Sequence, residues 1–389
     1  MNVVTRSAVL FASSLALLAS TSGASAQVST TADAKSKAQQ LIDKGLAFLA
    51  TQQAENGGWM AQRGAPAITA LALKGFAQDP NRRNDTNVKK GFEFLLSFQL
   101  ENGGIYKDTL ASYNTSTAIS ALAAAKNPAF QPNIDKAIAY LRTLQWQEGM
   151  ELPTGEILAG GDVRAGGWGY GSKGRPDGSN TALAIDALVE AGISREDPAL
   201  KGAAEFMTRT QNLKTNAAPW ATNDGGFIYS PARGGESFAG EYTDPSGTKR
   251  FHSYGAMTYA GIKSLLYANI SKDDPRVVAA WGWISNNWSL TENPGMINAG
   301  PTAAADGLFY YYHILARTLK EYGEVSVPTP TGSVDWRLEL VNKLASLQRQ
   351  DGAWKGGKAY MEELEILVTA YTVLALQEVL ADLDRSPVK

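Results

Sequence analysis

The two histidines of the chain each lie beside tyrosines. His252 precedes Tyr254 by two residues, and His313 directly follows the run Tyr310 to Tyr312. Histidine titrates near neutral pH, which makes it a general acid–base candidate. In a helix, Asp306, Tyr310 and His313 would share one face. We therefore predict a polar, aromatic pocket in which His252, Asp306 and His313 are the candidate catalytic residues. The same residues also fit a buried cluster that loop carbonyls satisfy.

Three glycine-rich segments hold further candidates. They cover residues 146–180, 212–253 and 289–306, and they are rich in Gly, Tyr, Trp, Asn, Asp and Arg. Long loops in compact folds are usually functional or disordered, and this composition is typical of ordered loops. We predict ligand-binding residues in the first two segments and at two nearby helix starts: Tyr170, Asp177, Asn180, Asp224, Tyr229, Tyr254 and Tyr310.

Composition excludes several kinds of chemistry. Cysteine is absent, so the chain has no disulfide, no Cys-ligated zinc and no thiol nucleophile. The 36 basic and 38 acidic residues nearly balance, which does not predict nucleic-acid binding. No sequence motif indicates a cofactor or a metal, so we expect none. Calcium binding by the three segments stays an open question.

Residues 1–26 have the pattern of a cleavable secretory signal. Arg6 precedes the short apolar run 8–18, and Ala24-Ser25-Ala26 is a small-residue cleavage site. We expect the mature chain to begin near Gln27 and to be exported to a bacterial periplasm or exterior. No further membrane segment is expected, and we expect a monomer.

One short pattern occurs six times along the chain. In its first copy, Gln53 ends an amphipathic stretch and Gly57-Gly58-Trp59 follows. Gln99 and Gln145 begin the next copies, each 46 residues after the one before. The later copies begin at Gln211, at Trp288 in place of glutamine, and at Gln348. A period between about 20 and 50 residues indicates a repeat architecture.

Each copy contains two helical patterns. The first is amphipathic, as in residues 88–96, and the second is apolar nearly all round, as in residues 117–125. Thr or Ser near the start of the second pattern is expected to supply the N-cap oxygen. The first and last copies are as regular as the middle ones, which favours a closed ring over an open solenoid with polar ends. We predict an all-α fold over residues 27–389, a single α/α toroid (α6–α6 barrel) of six helical hairpins with a buried inner ring and an amphipathic outer ring.

Each of the three glycine-rich segments connects an outer helix to an inner one. In a toroid they therefore lie at one end, over one mouth of the central cavity. The N-termini of the inner helices converge there, and their field would favour an anionic group. Residues 325–332 are expected at the opposite end, where they resemble a plain spacer.

The repeat resembles that of a known enzyme family. Lys44-Gly45, Phe48, Gln53 and Gly57-Gly58-Trp59 are similar to the repeat of squalene–hopene cyclases and related triterpene cyclases. This resemblance implies an α/α toroid of the terpenoid cyclase and protein prenyltransferase superfamily from about Ala38 to Leu380. In that superfamily glutamine and tryptophan tie helix ends together, which implies structural roles for Gln53, Gln99, Trp59 and Trp168.

The chemistry of these relatives does not transfer directly. Triterpene cyclases protonate an alkene with an Asp-x-Asp-Asp motif, which this sequence lacks; Asp273-Asp274 is expected to cap a helix. Protein prenyltransferases hold zinc with Asp, Cys and His, and complement-type relatives carry a Cys–Gln thioester. A group of pectate lyases with a similar toroid uses arginine and calcium-binding acids, for which the candidates here are Arg164, Arg175, Arg233 and Arg250 with Asp177 and Asp224.

Three functions remain open. The first is an exported cyclase-like protein with a cavity for an apolar or isoprenoid-like ligand, of undetermined activity. The second is a polysaccharide (uronate) lyase or saccharide-binding toroid. The third is a non-catalytic interaction scaffold. If the protein is an enzyme, we expect a terpene-cyclase-like isomerase or a polysaccharide lyase, and its partner is then a small-molecule or saccharide ligand.

Overall fold

The computed structural model describes residues 28–59, 66–152, 154–171 and 174–385. The predicted signal at residues 1–26 lies outside these ranges. Twelve α-helices occur in the described residues, and they alternate between an outer and an inner ring. The outer helices are α1 (Thr31–Thr51), α3 (Thr86–Leu96), α5 (Gln131–Thr143), α7 (Pro198–Thr208), α9 (Pro275–Asn286) and α11 (Trp336–Leu347). The inner helices are α2 (Ala67–Gln78), α4 (Ala111–Ala124), α6 (Gly178–Glu190), α8 (Gly255–Tyr267), α10 (Leu308–Tyr322) and α12 (Glu365–Leu383).

The inner helices form a closed ring. Each contacts the next, from α2 through α4, α6, α8 and α10 to α12, and α12 packs back against α2. Nearly every residue of α2 and α8 is buried, whereas α3 and α5 bury one face only. These observations confirm the predicted all-α toroid. Helix α12 has the length and apolarity of a membrane span, and 72% of its most apolar window is buried inside the fold, as in a core helix.

The repeated glutamine joins neighbouring copies. The side-chain amide of Gln53 donates to the carbonyl oxygens of Gly57 and Asn87, both at 2.8 Å, and so links its own turn to the next outer helix. Gln99, Gln145, Gln211 and Gln348 make the equivalent pair of hydrogen bonds. This pattern of bonds agrees with the structural role that the resemblance implied for Gln53 and Gln99.

The tryptophan of the turn joins the two helices of one copy. The indole Nε1 of Trp59 donates to the carbonyl oxygen of Leu49 at 2.7 Å, and its main-chain N donates to Oγ1 of Thr69 at 2.9 Å. Trp168 and Trp354 repeat both bonds. The threonines at the inner-helix starts therefore bind the turn. The prediction that they cap their own helices is wrong, since none of them is at an N-cap position.

Two short hairpins complete the described fold. Strands β1 (Glu241–Thr243) and β2 (Lys249–Phe251) pair antiparallel within the second predicted insert. Strands β3 (Ser326–Thr329) and β4 (Gly332–Asp335) pair in the same way between α10 and α11. The second hairpin buries Val327 completely. The expected spacer at residues 325–332 is therefore ordered structure.

Candidate functional site

A cavity of about 320 Å³ opens where the inner helices begin. Its walls combine the first turns of the inner helices with loops from several copies, which is the end at which we placed the inserts. The lining is mostly apolar and rich in aromatic side chains: Tyr113, Tyr170, Tyr229, Phe238, Tyr254, Tyr310, Tyr360 and Tyr371. Leu71, Leu183, Met257 and Ile314 add aliphatic surface. Such a surface suits an apolar molecule.

His313 lies deep in this cavity on α10. The residue is 6% exposed, and its ring stacks on that of Tyr371 with ring centroids 5.5 Å apart. Burial, together with the nearby cations Arg317 and Lys74, holds the pKa of His313 well below its ordinary value. The imidazole is therefore neutral at neutral pH, with one donor and one acceptor nitrogen.

Five of the predicted residues line the cavity. Tyr170 and Tyr229 reach it from loops, Tyr254 from the start of α8, and Tyr310 and His313 from α10. The neighbouring residues of the Tyr310 run point elsewhere. The hydroxyl of Tyr311 donates to the carbonyl oxygen of Ser289 at 2.8 Å, and that of Tyr312 donates to Leu290. Of this run, Tyr310 is therefore the one that lines the cavity among the described residues.

Asp177 and Asn180 lie beside the cavity and position α6. Asp177 is completely buried and accepts hydrogen bonds from the main-chain N of Asn180 at 2.9 Å and from Oγ of Ser179 at 2.8 Å. This is an N-cap. Burial raises the pKa of Asp177, against the lowering effect of its hydrogen bonds with Asn180.

The structure places the other three predicted residues outside the lining, as the described residues define it. His252 packs against Tyr242 of the β1–β2 hairpin, with ring centroids 4.6 Å apart and the ring planes tilted by 30°. Asp224 accepts from Gly226 N and from Ser253 Oγ, both at 2.8 Å. Burial raises the pKa of Asp224 and lowers that of His252.

Asp306 precedes the helix that carries His313. Helix α10 begins at Leu308, after Gly307 in the left-handed region at φ 67°. Asp306 itself has extended backbone at ψ 125°. The expected shared helical face of Asp306, Tyr310 and His313 is therefore wrong, because Asp306 lies outside the helix that carries the two aromatic residues.

The sequence did not indicate one loop that contributes to the mouth. Residues 355–364, in the last copy, place Tyr360 and Met361 in the lining. Glu362 follows, is 1% exposed, and accepts hydrogen bonds from the main-chain N of Phe309 at 2.8 Å and of Tyr310 at 2.9 Å. Burial raises its pKa to about 7. Glu362 thus fastens this loop to the start of α10.

Buried ion pairs lie beneath the cavity, among the inner helices. Lys263 on α8 binds Asp186 on α6 at 2.6 Å, and both side chains are at most 2% exposed. Lys74 on α2 binds Glu190 at 2.6 Å, and Arg317 bridges the two acids. These charges come from four inner helices that we expected to be apolar nearly all round.

Side chains already occupy four of the six inner-helix N-termini. Asn114 Oδ1 accepts from Ala67 N of α2 at 3.0 Å, and Asn293 Oδ1 accepts from Ala256 N of α8 at 3.0 Å. Asp177 and Glu362 cap α6 and α10. Two of the four caps are carboxylates, which offset the positive end of a helix dipole. The expected field for an anionic ligand is accordingly weakened.

Comparisons with known proteins agree with the toroid fold. Residues 64–229 match the sequence model of the squalene-hopene cyclase C-terminal domain. The type II terpene cyclase MstE from Scytonema, solved in complex with its substrate geranylgeranyl dihydroxybenzoate, is similar over 90% of this chain and 99% of its own, with a TM-score of 0.54 and 15% identity. This chain has the α/α-toroid fold of the terpenoid cyclase and protein prenyltransferase superfamily.

Two further structures share the toroid. A protein from Actinoplanes aligns over 88% of this chain and 99% of its own, with a TM-score of 0.53 and 15% identity. Candida albicans protein geranylgeranyltransferase-I, complexed with GGPP, aligns over 86% of this chain and 90% of its own, with a TM-score of 0.50 and 15% identity. A search of curated proteins gave no match. At these identities the likeness establishes the fold.

Asp274 and three of the four insert arginines that we compared with the superfamily's chemistry have structural partners in this toroid. Asp274 accepts from Arg276 N at 2.9 Å as the N-cap of α9, which confirms the expected capping. Among the insert arginines, Arg175 pairs with Glu236, Arg164 with Asp162 and Arg250 with Asp244. Within the described residues, no group of three or more His, Asp or Glu side chains is arranged to hold a metal ion.

Proposed function

We propose that this toroid binds a compact apolar, isoprenoid-like molecule in the central cavity. The aromatic and aliphatic lining is the observation that carries the proposal. Aromatic faces contribute large apolar contact areas, and the cavity volume of about 320 Å³ lies near the lower end of the range for ligand pockets, roughly 300–1,000 Å³. MstE and the geranylgeranyltransferase, which share the fold, were solved with geranylgeranyl-containing molecules or GGPP.

The polar side chains in the lining favour binding as the function to test first. They are the hydroxyls of tyrosine, Ser179 and Thr117, the amide of Asn293 and the neutral imidazole of His313. Protonation of an alkene needs a strong acid at the reacting carbon, whereas these groups are weak acids whose tyrosine and histidine members are shifted toward their neutral forms.

A titration of the purified protein with farnesol and with geranylgeraniol tests the proposal. Tryptophan fluorescence and native mass spectrometry measure the binding. We expect saturable binding with one molecule per chain. Leu183→Trp, which fills the cavity from α6, should weaken binding at least tenfold. Ile157→Trp, at a site 57% exposed and outside the lining, is the matched control and should bind as the parent does. Equal binding by both variants would place the ligand elsewhere.

The same samples discriminate the other two functions. Mass analysis of bound farnesol after incubation detects any cyclised product. Polygalacturonate should cause neither a thermal shift nor the absorbance rise of an unsaturated uronate, because three of the four insert arginines that a lyase would use are already paired with acids. A rise would favour the lyase. A protein that binds none of these ligands would favour the interaction scaffold.

We further propose that residues 1–26 direct export to the periplasm or exterior. The basic start, the apolar run and the Ala24-Ser25-Ala26 site support this. Expression of the full chain in a Gram-negative host, followed by osmotic shock and intact-mass measurement, tests it. We expect a periplasmic chain that begins at Gln27. A full-length chain in the cytosol would contradict the proposal.

A further inference from the structure

One wall of the cavity carries a cluster that we call the polar corner: Tyr113, Tyr310, His313 and Tyr371. His313 stacks on Tyr371, and Tyr310 meets the same ring edge-on with centroids 5.9 Å apart. The hydroxyl oxygens of Tyr113 and Tyr371 lie 3.4 Å apart. All four residues line the cavity, and they come from α4, α10 and α12. The rest of the lining is largely hydrocarbon and ring surface.

The polar corner has unused hydrogen-bonding capacity. Nδ1 of His313 is buried and has no hydrogen-bond partner within the part of the chain that the structure describes. A buried polar atom without a partner costs free energy, so the His313 ring, which lines the cavity, is a favourable place for a bound molecule to supply a hydrogen bond. Because the neutral ring offers one donor and one acceptor, a hydroxyl or a carbonyl group is a matching partner.

Charge around the polar corner disfavours an anion. Three cations lie near His313, and each contacts an acid. Lys74 pairs with Glu190 and Lys263 with Asp186, each at 2.6 Å, and Arg317 contacts both acids. The caps at four inner-helix N-termini include the carboxylates of Asp177 and Glu362. An anionic headgroup would therefore lose its hydration without gaining a free cation among these groups.

We propose that the ligand carries one uncharged hydroxyl or carbonyl group, and that this group hydrogen-bonds to His313 at the polar corner while the hydrocarbon part fills the rest of the cavity. The inference rests on the proposed binding function and names its ligand class: a neutral amphiphile such as an isoprenoid alcohol, as opposed to a hydrocarbon or a diphosphate.

Three probes that share one carbon skeleton test this class: farnesol, farnesene and farnesyl diphosphate. We expect the parent protein to bind farnesol about tenfold more tightly than farnesene, because one hydrogen bond contributes about that factor to affinity. We expect it to bind farnesyl diphosphate most weakly of the three. His313→Phe keeps the ring that stacks on Tyr371 but removes both nitrogens. It should lower the affinity for farnesol about tenfold and leave that for farnesene unchanged. His252→Phe, outside the cavity, is the matched control and should alter neither.

The outcomes separate the two proposals. Equal affinities for farnesol and farnesene in the parent protein would overturn the polar corner as a binding site and leave the apolar cavity standing. Tightest binding of the diphosphate would overturn the uncharged class. Failure of all three to bind would overturn the proposed function and this inference together. If His313→Phe does not fold, the comparison of the three probes in the parent protein still tests the inference. His313→Gln keeps a donor and an acceptor and should retain part of the preference for farnesol over farnesene.

Discussion

The side-chain amide of Gln348 donates a hydrogen bond to the carbonyl oxygen of Leu41 at 3.0 Å, although 307 residues separate them. The same amide donates to Gly352 of its own turn at 3.0 Å. Gln53 makes the corresponding pair of bonds between the first and second copies. The junction that closes the ring is therefore chemically the same as four of the five junctions between consecutive copies; the exception is the copy that has Trp288 in place of glutamine. Closure needs no special segment, because the repeat supplies the bond.

The repeated glutamines should differ in their contribution to stability according to burial. Gln211 is completely buried, so Gln211→Ala leaves two carbonyl oxygens without partners and should lower the free energy of unfolding by about 2–3 kcal/mol. The bond from Gln53 to Asn87 is exposed, so Gln53→Ala should lower the free energy of unfolding by about 1 kcal/mol. Urea unfolding measures both. Gln39→Ala, which loses only a surface hydrogen bond to Asp43, is the control. If it lowers the free energy of unfolding as much as Gln211→Ala does, the hydrogen bonds of the turn contribute no more to stability than a surface bond.

Two glycines separate backbone strain from close packing. Gly103 and Gly149 both have positive φ, at 92° and 78°. A Cβ at Gly103 would lie 2.2 Å from the carbonyl oxygen of Lys136, whereas nothing lies within 4 Å of one at Gly149. Gly149→Ala should cost about 1–2 kcal/mol, the penalty of the left-handed region alone. Gly103→Ala adds a backbone clash and should cost clearly more by thermal unfolding. Similar losses at the two sites would mean that the turn at Gly103 can move away from α5.

Much of the fold could be predicted from the sequence because its determinants are local and repeated. Gln53, Gly57-Gly58 and Trp59 lie within seven residues of one another, and their spacing recurs, so one copy explains the others. Part of the site followed in the same way. Tyr170, Tyr229 and Tyr310 lie where an outer helix connects to an inner one, and ring closure brings all such connections to one mouth.

The rest depends on contacts between distant parts of the chain. Lys74 and Glu190 are 116 residues apart. Lys74 is the one charge in α2 and Glu190 is one of two in α6, so no local pattern marks the pair. Glu362 lies 53 residues after Phe309, whose main-chain N it caps, in a copy whose turn looked regular. Asp306 was misplaced for a local reason, since Gly307 adopts a left-handed conformation just before α10 begins.

The buried pair of Lys263 and Asp186 should be costly to break on one side only. Lys263→Met leaves Asp186 buried with only the more distant Arg317, at 3.4 Å, and should lower the free energy of unfolding by about 3–5 kcal/mol. Removing both charges, in Lys263→Met with Asp186→Leu, should recover part of the loss, as measured by urea unfolding of the single and double variants. Lys249→Met, which breaks an exposed pair with Glu241, is the control and should have little effect. A double variant less stable than either single one would contradict this account.

Glu362 should make stability depend on pH in the direction set by its raised pKa. Burial raises that pKa from an ordinary value of 4.5 to about 7, so the folded state holds the proton more tightly than the unfolded state does. The resulting stabilisation is complete below pH 4.5 and is lost as the pH rises through about 7, by up to about 3 kcal/mol at 1.36 kcal/mol per unit. Glu362→Gln cannot ionise and lacks this loss. In urea unfolding between pH 4 and pH 8, the stability of the parent relative to Glu362→Gln should therefore fall with rising pH.

Glu365→Gln, at a partly exposed acid paired with Arg349, is the matched control and should follow the parent. A flat or rising difference for Glu362→Gln would show that the hydrogen bonds from Phe309 and Tyr310, which favour the carboxylate, outweigh the burial.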